Sequence, residues 1–376
     1  MDISELLPFL LQGILNFTWG NLLMILVGSV LIYLAVAKQY EPVLLLPIGF
    51  GCILANIPMT GMGEAGGIFG ILKAAGIDTE LFPLLIFIGI GAMIDFSPLL
   101  AQPQMVLLGA AGQFGIFATL ILATLLGFPL NQAASIGIIG AIDGPTAIFV
   151  SSELAPEMLG PIAVAAYSYM SLIPIIQPPI MRLMTTKAER RIRMDYSPRQ
   201  VSKRTLIIFP ILVTLVVGLL VPAATPLIAM LMFGNLLRES GVVDRLSKSA
   251  QNEIANIATL FLGVTIGSTM TAASFLNWQT LAIMGLGLLA FVIDTVAGLL
   301  FGKLMSFLTR GKINPLIGAA GISAFPMAGR LSAKMAQDED YENFILMHAM
   351  GANTAGQLGS VMAGGVLLAI MRGILH

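Results

Sequence analysis

Between Lys73 and Arg182 the chain holds no lysine or arginine, and apolar runs follow one another across the whole interval. A water-soluble domain cannot be built this way, because an ordinary globular surface needs roughly 25% charged residues in the sequence. Here charged residues make up 10% and hydrophobic residues 57%. Mean hydropathy is +0.92. Disorder is excluded too, since it requires low hydrophobicity and high net charge, and the formal net charge is −1. In lipid every backbone polar group must be satisfied inside its own element, which leaves helices for segments of this composition. The expected fold class is therefore an all-α polytopic membrane protein.

Apolar segments fall at about 21–37, 42–58, 82–97, 104–127, 133–151 and 158–181. A second set falls at about 205–222, 225–238, 256–275, 278–306, 314–329 and 343–371. The connections at 59–80 and 239–255 are too polar to span. Two segments are interrupted: residues 136–147 read IGIIGAIDGPTA and residues 317–328 read IGAAGISAFPMA. At a spacing of 181 they share Ile136 with Ile317, Gly137 with Gly318, Gly140 with Gly321, Pro145 with Pro326 and Ala147 with Ala328. GFGCIL at 49–54 matches MFGNLL at 232–237 at nearly the same spacing. The chain thus reads as a duplication: an interfacial segment at 1–20, a first membrane repeat at 21–181, a basic linker at 182–204 and a second repeat at 205–376. Matched Gly/Pro-interrupted segments are the best sequence pointer to a transporter's binding site.

Charge sets the expected orientation. The linker holds Arg182, Lys187, Arg190, Arg191, Arg193, Arg199, Lys203 and Arg204, so it belongs in the cytoplasm. If each interrupted segment dips in and returns, each half has five crossings, ten in all. Lys38, Arg238, Arg245, Lys248, Arg310, Lys312, Arg330 and Lys334 then fall inside, and both termini and the acidic turn at 153–157 fall outside. The two repeats are then inverted. Full crossing by both interrupted segments would put that acidic turn beside Lys38 and move the linker outside.

Asp143 is the leading candidate for chemistry. It sits in A-I-D-G-P-T, where Gly144 relieves the backbone and Pro145 removes a donor. Freed carbonyls and a carboxylate at one point suit a small hard cation. The second interruption offers Asn314 and Ser323 but no carboxylate. Arg330, seven residues after Ser323, could hold a carboxylate or ureido oxygen, or serve as an interfacial anchor. Tyr167 and Tyr169 are two residues apart, so on a helix they face different ways. Asn353 lies in a small-residue stretch, as a ligand or as glue between helices. Asp294 is a second intramembrane acid and the rival to Asp143, but in an unbroken helix.

Other chemistry is absent. One cysteine, Cys52, permits no intrachain disulfide, and two histidines are too few for a histidine metal cage. There is no G-x-x-x-x-G-K-[ST], and G-M-G-E-A-G at 61–66 follows no strand, so no nucleotide motif is present. The charge balance gives no support to a nucleic-acid partner. No biotin-accepting A-M-K-M occurs; residues 332–335 read S-A-K-M.

Seven stretches carry a resemblance: EPVLLLPIGFG (41–51), LLGAAGQFGIFAT (107–119), IGIIGAIDGPTAI (136–148), AVAAYSYMSLIPIIQPPIMR (163–182), FGNLLRESGVVDRLS (233–247), KINPLIGAAGISAFPMAGR (312–330) and LMHAMGANTAG (346–356). With them the chain resembles, over nearly its full length, the beta subunit of the sodium-pumping, biotin-dependent decarboxylases that act on oxaloacetate, methylmalonyl-CoA, glutaconyl-CoA or malonate. It departs from some oxaloacetate-enzyme subunits, which carry a long insertion where 59–80 is short.

The resemblance implies a membrane subunit of a sodium-translocating decarboxylase in a bacterial or archaeal inner membrane. Such a subunit decarboxylates carboxybiotin delivered by a partner, consumes a proton and exports sodium. It implies a biotin carrier protein, a carboxyltransferase alpha subunit and a small gamma-type membrane subunit as partners, and further copies of this chain. It implies reaction roles for Asp143, Tyr169 and Arg330, sodium ligands in Asp143, Asn314, Ser323 and Asn353, and supporting roles for Gly144, Pro145, Gly318 and Tyr167. Asp294 has no such counterpart. Two rival readings remain from the residues alone: a stand-alone sodium/proton or sodium/carboxylate transporter, and a structural anchor for soluble subunits.

Overall fold

The computed structural model describes residues 11–194 and 201–375. The expected interfacial segment at 1–20 and Arg199 of the linker lie partly or wholly outside these residues. Among the described residues all regular structure is helical. The main helices are α1 (Trp19–Ala37), α2 (Pro42–Ala55), α3 (Leu81–Met93), α4 (Met105–Ala111), α5 (Phe114–Leu125), α6 (Leu130–Gly137), α7 (Gly144–Leu154) and α8 (Leu159–Met184). They continue as α9 (Lys203–Leu220), α10 (Thr225–Ser240), α11 (Ala255–Ser268), α12 (Trp278–Leu308), α13 (Leu316–Ala319), α14 (Met327–Glu339) and α15 (Leu346–Leu375). Among the described residues six helices are long and apolar enough to cross a membrane: α1, α4 with α5, α8, α9, α12 and α15. Shorter apolar helices include α2 and α3. Outward-facing Ile208, Leu212, Leu215 and Leu219 on α9 show why such a helix needs lipid around it.

Packing follows the sequence repeat. α2 lies along α11, and α3 lies along α10. A shift of 181 residues carries α2 onto α10 and α3 onto α11, so one contact is the image of the other. The same holds for α8 against α12 and α15 against α4. Small residues make the approach possible: a Cβ on Gly91 would overlap the Leu231 carbonyl, and one on Gly234 would overlap the Ile88 carbonyl. A π turn stands at a matched place in each half, Lys73–Ile77 before α3 and Ala250–Ile254 before α11.

Both interrupted segments are broken as the glycines and prolines demand. The first runs through α6, a 3-10 turn at Ile138–Ala141, Ile142 in the left-handed region (φ 52) and extended Asp143, then restarts as α7. A β-branched residue at positive φ costs about 1–3 kcal/mol and persists only where packing enforces it. The second runs through α13, an irregular stretch at 320–326 and α14.

Each broken segment returns to the side it came from. Asn131, at the start of α6, donates to the carbonyl of Leu154 at the end of α7 (2.8 Å). Asn314 before α13 and Asn343 after α14 both donate to the carbonyls of Arg190 and Ile192, at 2.9–3.1 Å. The two dips therefore start from opposite ends of the bundle. We call the end carrying 185–194 the linker end.

Candidate functional site

The two breaks meet on one cavity of about 650 Å³. Its inner wall includes Asp143, Gly144, Pro145, Tyr167, Ser323 and Gln357. Glu41, Asp95, Arg238, Arg330 and Met347 line it toward the linker end. No residue of the opposite-end connections lines it, so the cavity opens toward the linker.

Asp143 is buried, and three donors converge on its Oδ2. Thr146 Oγ1 donates at 2.6 Å, Gln357 Nε2 at 2.8 Å and Ser360 Oγ at 2.9 Å. Oδ1 receives none of these. The carbonyls of Gly140, Ala141 and Ile142 likewise take no hydrogen bond among the described residues. These are the oxygens that a left-handed residue followed by Gly-Pro frees. Among the described residues no cluster of three or more His, Cys, Asp or Glu side chains occurs, so neutral oxygens must complete any cation site at Asp143.

Tyr167 covers this point. A Cβ on Gly144 would overlap its ring and hydroxyl, which explains the glycine. The Tyr167 hydroxyl is buried without a partner. Tyr169 faces the other way, and its hydroxyl donates to the carbonyl of Met284 on α12, outside the cavity lining.

The second break is held differently. Gln177 Nε2 donates to Ala319 O (2.7 Å), Gln113 Nε2 to Gly321 O (3.3 Å) and Asn353 Nδ2 to Ile322 O (2.7 Å). Ser323 Oγ donates to Gly356 O at 3.1 Å. The side-chain oxygens of Gln113, Gln177 and Asn353 are buried and unpartnered. Gly318 packs on Gly298, where a Cβ would overlap the opposing carbonyl. Asn314 lies at the foot of this dip, bound to the linker and to Leu316 N, and does not line the cavity. Arg330 lines the cavity, and its guanidinium makes no hydrogen bond or ion pair with the described residues.

Asp143, Gly144, Pro145, Tyr167, Ser323 and Arg330 are thus brought together. Asn353 stands behind the second break, and Asn314, Gly318 and Tyr169 stand elsewhere. Asp294 is buried on α12, accepts from the Gly115 N–H and lies beside Gly140, away from the cavity. Sequence reasoning missed Thr146, Gln357, Ser360, Gln113 and Gln177. Of these, Gln357 and Ser360 had a signal: with Asn353 they form an i, i+4, i+7 polar stripe on one helix.

The linker end is also an electrostatic clamp. Arg190 bonds Glu339 Oε1 through Nε (2.9 Å) and Nη2 (2.6 Å), and Arg193 bonds Asp340 at 2.7 and 3.0 Å. Those guanidiniums hold the Glu339 and Asp340 carboxyls below their usual range.

Comparison with known proteins agrees with this architecture. The family described as "Na+-transporting oxaloacetate decarboxylase beta subunit" matches residues 20–371. The chain is 54% identical to the glutaconyl-CoA decarboxylase subunit beta of Acidaminococcus fermentans, over 96% of each chain. It is 54% identical to the methylmalonyl-CoA decarboxylase subunit beta of Veillonella parvula, over 96% of this chain and 95% of that one. It is 47% identical to the oxaloacetate decarboxylase beta chain of Klebsiella pneumoniae, over 97% and 98%. A helical bundle whose two broken segments share a cavity is thus matched end to end by one family, and the chain belongs to it as a membrane beta subunit of the sodium-transporting decarboxylases.

Proposed function

We propose that the first break holds the transported sodium ion and that the cavity receives a carboxylated biotin through its linker end. The reading rests above all on Asp143: one oxygen anchored by three donors, the other oxygen and three freed carbonyls left over at a buried point. Anchoring one oxygen fixes the carboxylate in place, and the remaining oxygens offer a hard, oxygen-only ligand set. Sodium is the cargo. The organic substrate never enters this chain.

In this reading the linker end is cytoplasmic, both termini lie outside, and the bundle sits in a prokaryotic inner membrane. A biotin carrier brings the carboxyl group from a carboxyltransferase alpha subunit. A gamma-type membrane subunit and further copies of this chain complete the assembly. At the cavity Arg330 faces the incoming carboxylate. Decarboxylation breaks the bond between the ureido nitrogen and the carboxyl carbon, releases carbon dioxide and leaves the nitrogen to take a proton. Tyr167 is the hydroxyl within the cavity wall beside Asp143, and Tyr169 is a positioning residue that bonds α12. Exporting each ion against about 100 mV costs roughly 2.3 kcal/mol, so carbon dioxide release must be coupled to an occupied site. Ser323 and Asn353 belong to the opposing break, and Asn314 secures its foot.

The test is sodium titration of the reconstituted complex fed with carboxylated carrier. Carbon dioxide release should require sodium and saturate with it, and sodium should accumulate on the side opposite the linker. Full-rate release without sodium would overturn the proposal.

A further inference from the structure

Two arginines, Arg190 and Arg238, differ in how far their donors are used. Arg190 is spent: it is buried, bonds Glu339 twice and donates Nη1 to the Thr185 carbonyl at 2.6 Å. Arg238 is not. It stands at the end of α10, lines the cavity, and makes one hydrogen bond, from Nη1 to the Met93 carbonyl at 2.9 Å. Its nearest acid across the helix pair is Asp95, with Nη2 to Oδ2 at 3.8 Å, too long for a hydrogen bond. The adjacent Glu239 lies 3.4 Å from Nε without bonding geometry. A guanidinium has five N–H donors. Most of those on Arg238 are unspent, on the wall of the same cavity where the Arg330 guanidinium has no partner among the described residues.

We propose that Arg238 and Arg330 together form the carboxylate-binding site at the cavity mouth, and that Asp95 is its built-in competitor. The ligand class is a carboxylate on a small planar group. Arg330 follows the second break on α14, whereas Arg238 ends a scaffold leg, so one anion between them would tie the dip to the scaffold. Asp95 holds Arg238 loosely enough to be displaced. Its other oxygen is already used, accepting the Ser97 N–H at 2.8 Å, which keeps it in place when Arg238 turns to the ligand. The assignment of the ligand as carboxylated biotin rests on the function proposed above; the arginine pair itself rests on two guanidiniums with unspent donors lining one cavity.

The experiment compares binding of carboxylated and uncarboxylated biotin carrier to the purified complex, without sodium turnover as the readout. Arg238→Gln should weaken the carboxylated carrier by about 10-fold or more, as expected for a lost charge-assisted hydrogen bond, and leave the uncarboxylated carrier unchanged. Arg238→Lys should recover part of that loss. Asp95→Asn keeps the oxygen that accepts from Ser97 and should tighten carboxylated-carrier binding about 3-fold, the opposite sign. Asp95→Asn added to Arg238→Gln should change nothing further. If Asp95→Asn weakens binding as Arg238→Gln does, the two are a structural pair and the proposal is overturned. Equal losses for both forms of the carrier overturn it as well. A wild-type complex that prefers the carboxylated carrier but works without sodium would bring down the reading of Asp143 and leave this one standing.

Discussion

The two broken segments descend from one repeat and are built to opposite ends. In the first, donors gather on a carboxylate and the backbone carbonyls are left over. In the second there is no carboxylate, and Gln177 of α8, Gln113 of the turn between α4 and α5, and Asn353 of α15 each donate to a carbonyl of the segment. A freed carbonyl in a membrane must find a hydrogen, a cation or water. The second segment has its Ala319, Gly321 and Ile322 carbonyls each held by a side-chain amide, which stitches it to the surrounding bundle. The first leaves Asp143 Oδ1 and three consecutive carbonyls without donors, which is why the proposed sodium site falls there. α15 serves both, with Asn353 and Gly356 at the second break and Gln357 and Ser360 at Asp143.

The sharpest way to break this contrast is Asp143→Asn. Removing one partner of a buried ion pair costs about 3–5 kcal/mol, so sodium half-saturation should rise more than about 100-fold while the complex still assembles. Sodium-dependent carbon dioxide release by that variant at wild-type sodium levels would show that the ligand-bearing segment has been misidentified. Next in size are Gln357→Leu and Ser360→Ala, which strip donors from Oδ2. Loss of a residue that orients a ligand typically costs 10–100-fold in affinity, and about 10-fold in sodium half-saturation is expected for each. Thermal unfolding should move little.

Much of this was readable from residue order. The mirrored Gly/Pro interruptions located both breaks, and D-G-P located the carboxylate. Even the dip could be inferred from where charges fall. The stitching could not. Gln177 and its acceptor Ala319 are 142 residues apart, and a glutamine inside P-I-I-Q-P-P-I carries no periodic signature. The choice between Tyr167 and Tyr169 was hidden for a related reason: two residues along a helix turn a side chain by about 200°, and only the position of α12 says which face is which. Asn314 illustrates the converse. It lies in a motif next to the break, but the chain folds its amide onto the linker carbonyls.

The second segment should answer differently to the same kind of cut. Gln177→Leu leaves the Ala319 carbonyl buried and unpaired, which costs about 1–3 kcal/mol. A lower unfolding temperature is expected, with sodium half-saturation changed by less than about 2-fold. Should Gln177→Leu instead shift sodium affinity as strongly as Gln357→Leu, the second break would be a ligand site and the contrast between the two breaks would disappear.

The smallest expected effect concerns the feet of the two dips, and it separates them by pH. At the foot of the second, Glu339 and Asp340 pair with arginines that hold their carboxyls below the usual range. Stability from such groups is present above the unfolded carboxylate range and is lost only as pH falls through the lowered values. At the foot of the first, Glu153 pairs with Arg372 at 2.7 Å, and Glu80, in the connection before α3, faces Glu153. Burial, and then the Glu153 charge, push the Glu80 carboxyl up to about 7. The sign is therefore reversed: the folded state favours protonated Glu80, and that advantage shrinks as pH rises from the usual carboxylate range through about 7. Between pH 5 and 8, roughly, amide hydrogen exchange, corrected for its intrinsic pH dependence, should speed up around 150–156 and stay level around 186–192. Glu80→Gln, which mimics the protonated acid, should flatten the first response and leave the second untouched. A response at both feet, or one that survives Glu80→Gln, would mean that the charge on Glu80 does not govern the first dip.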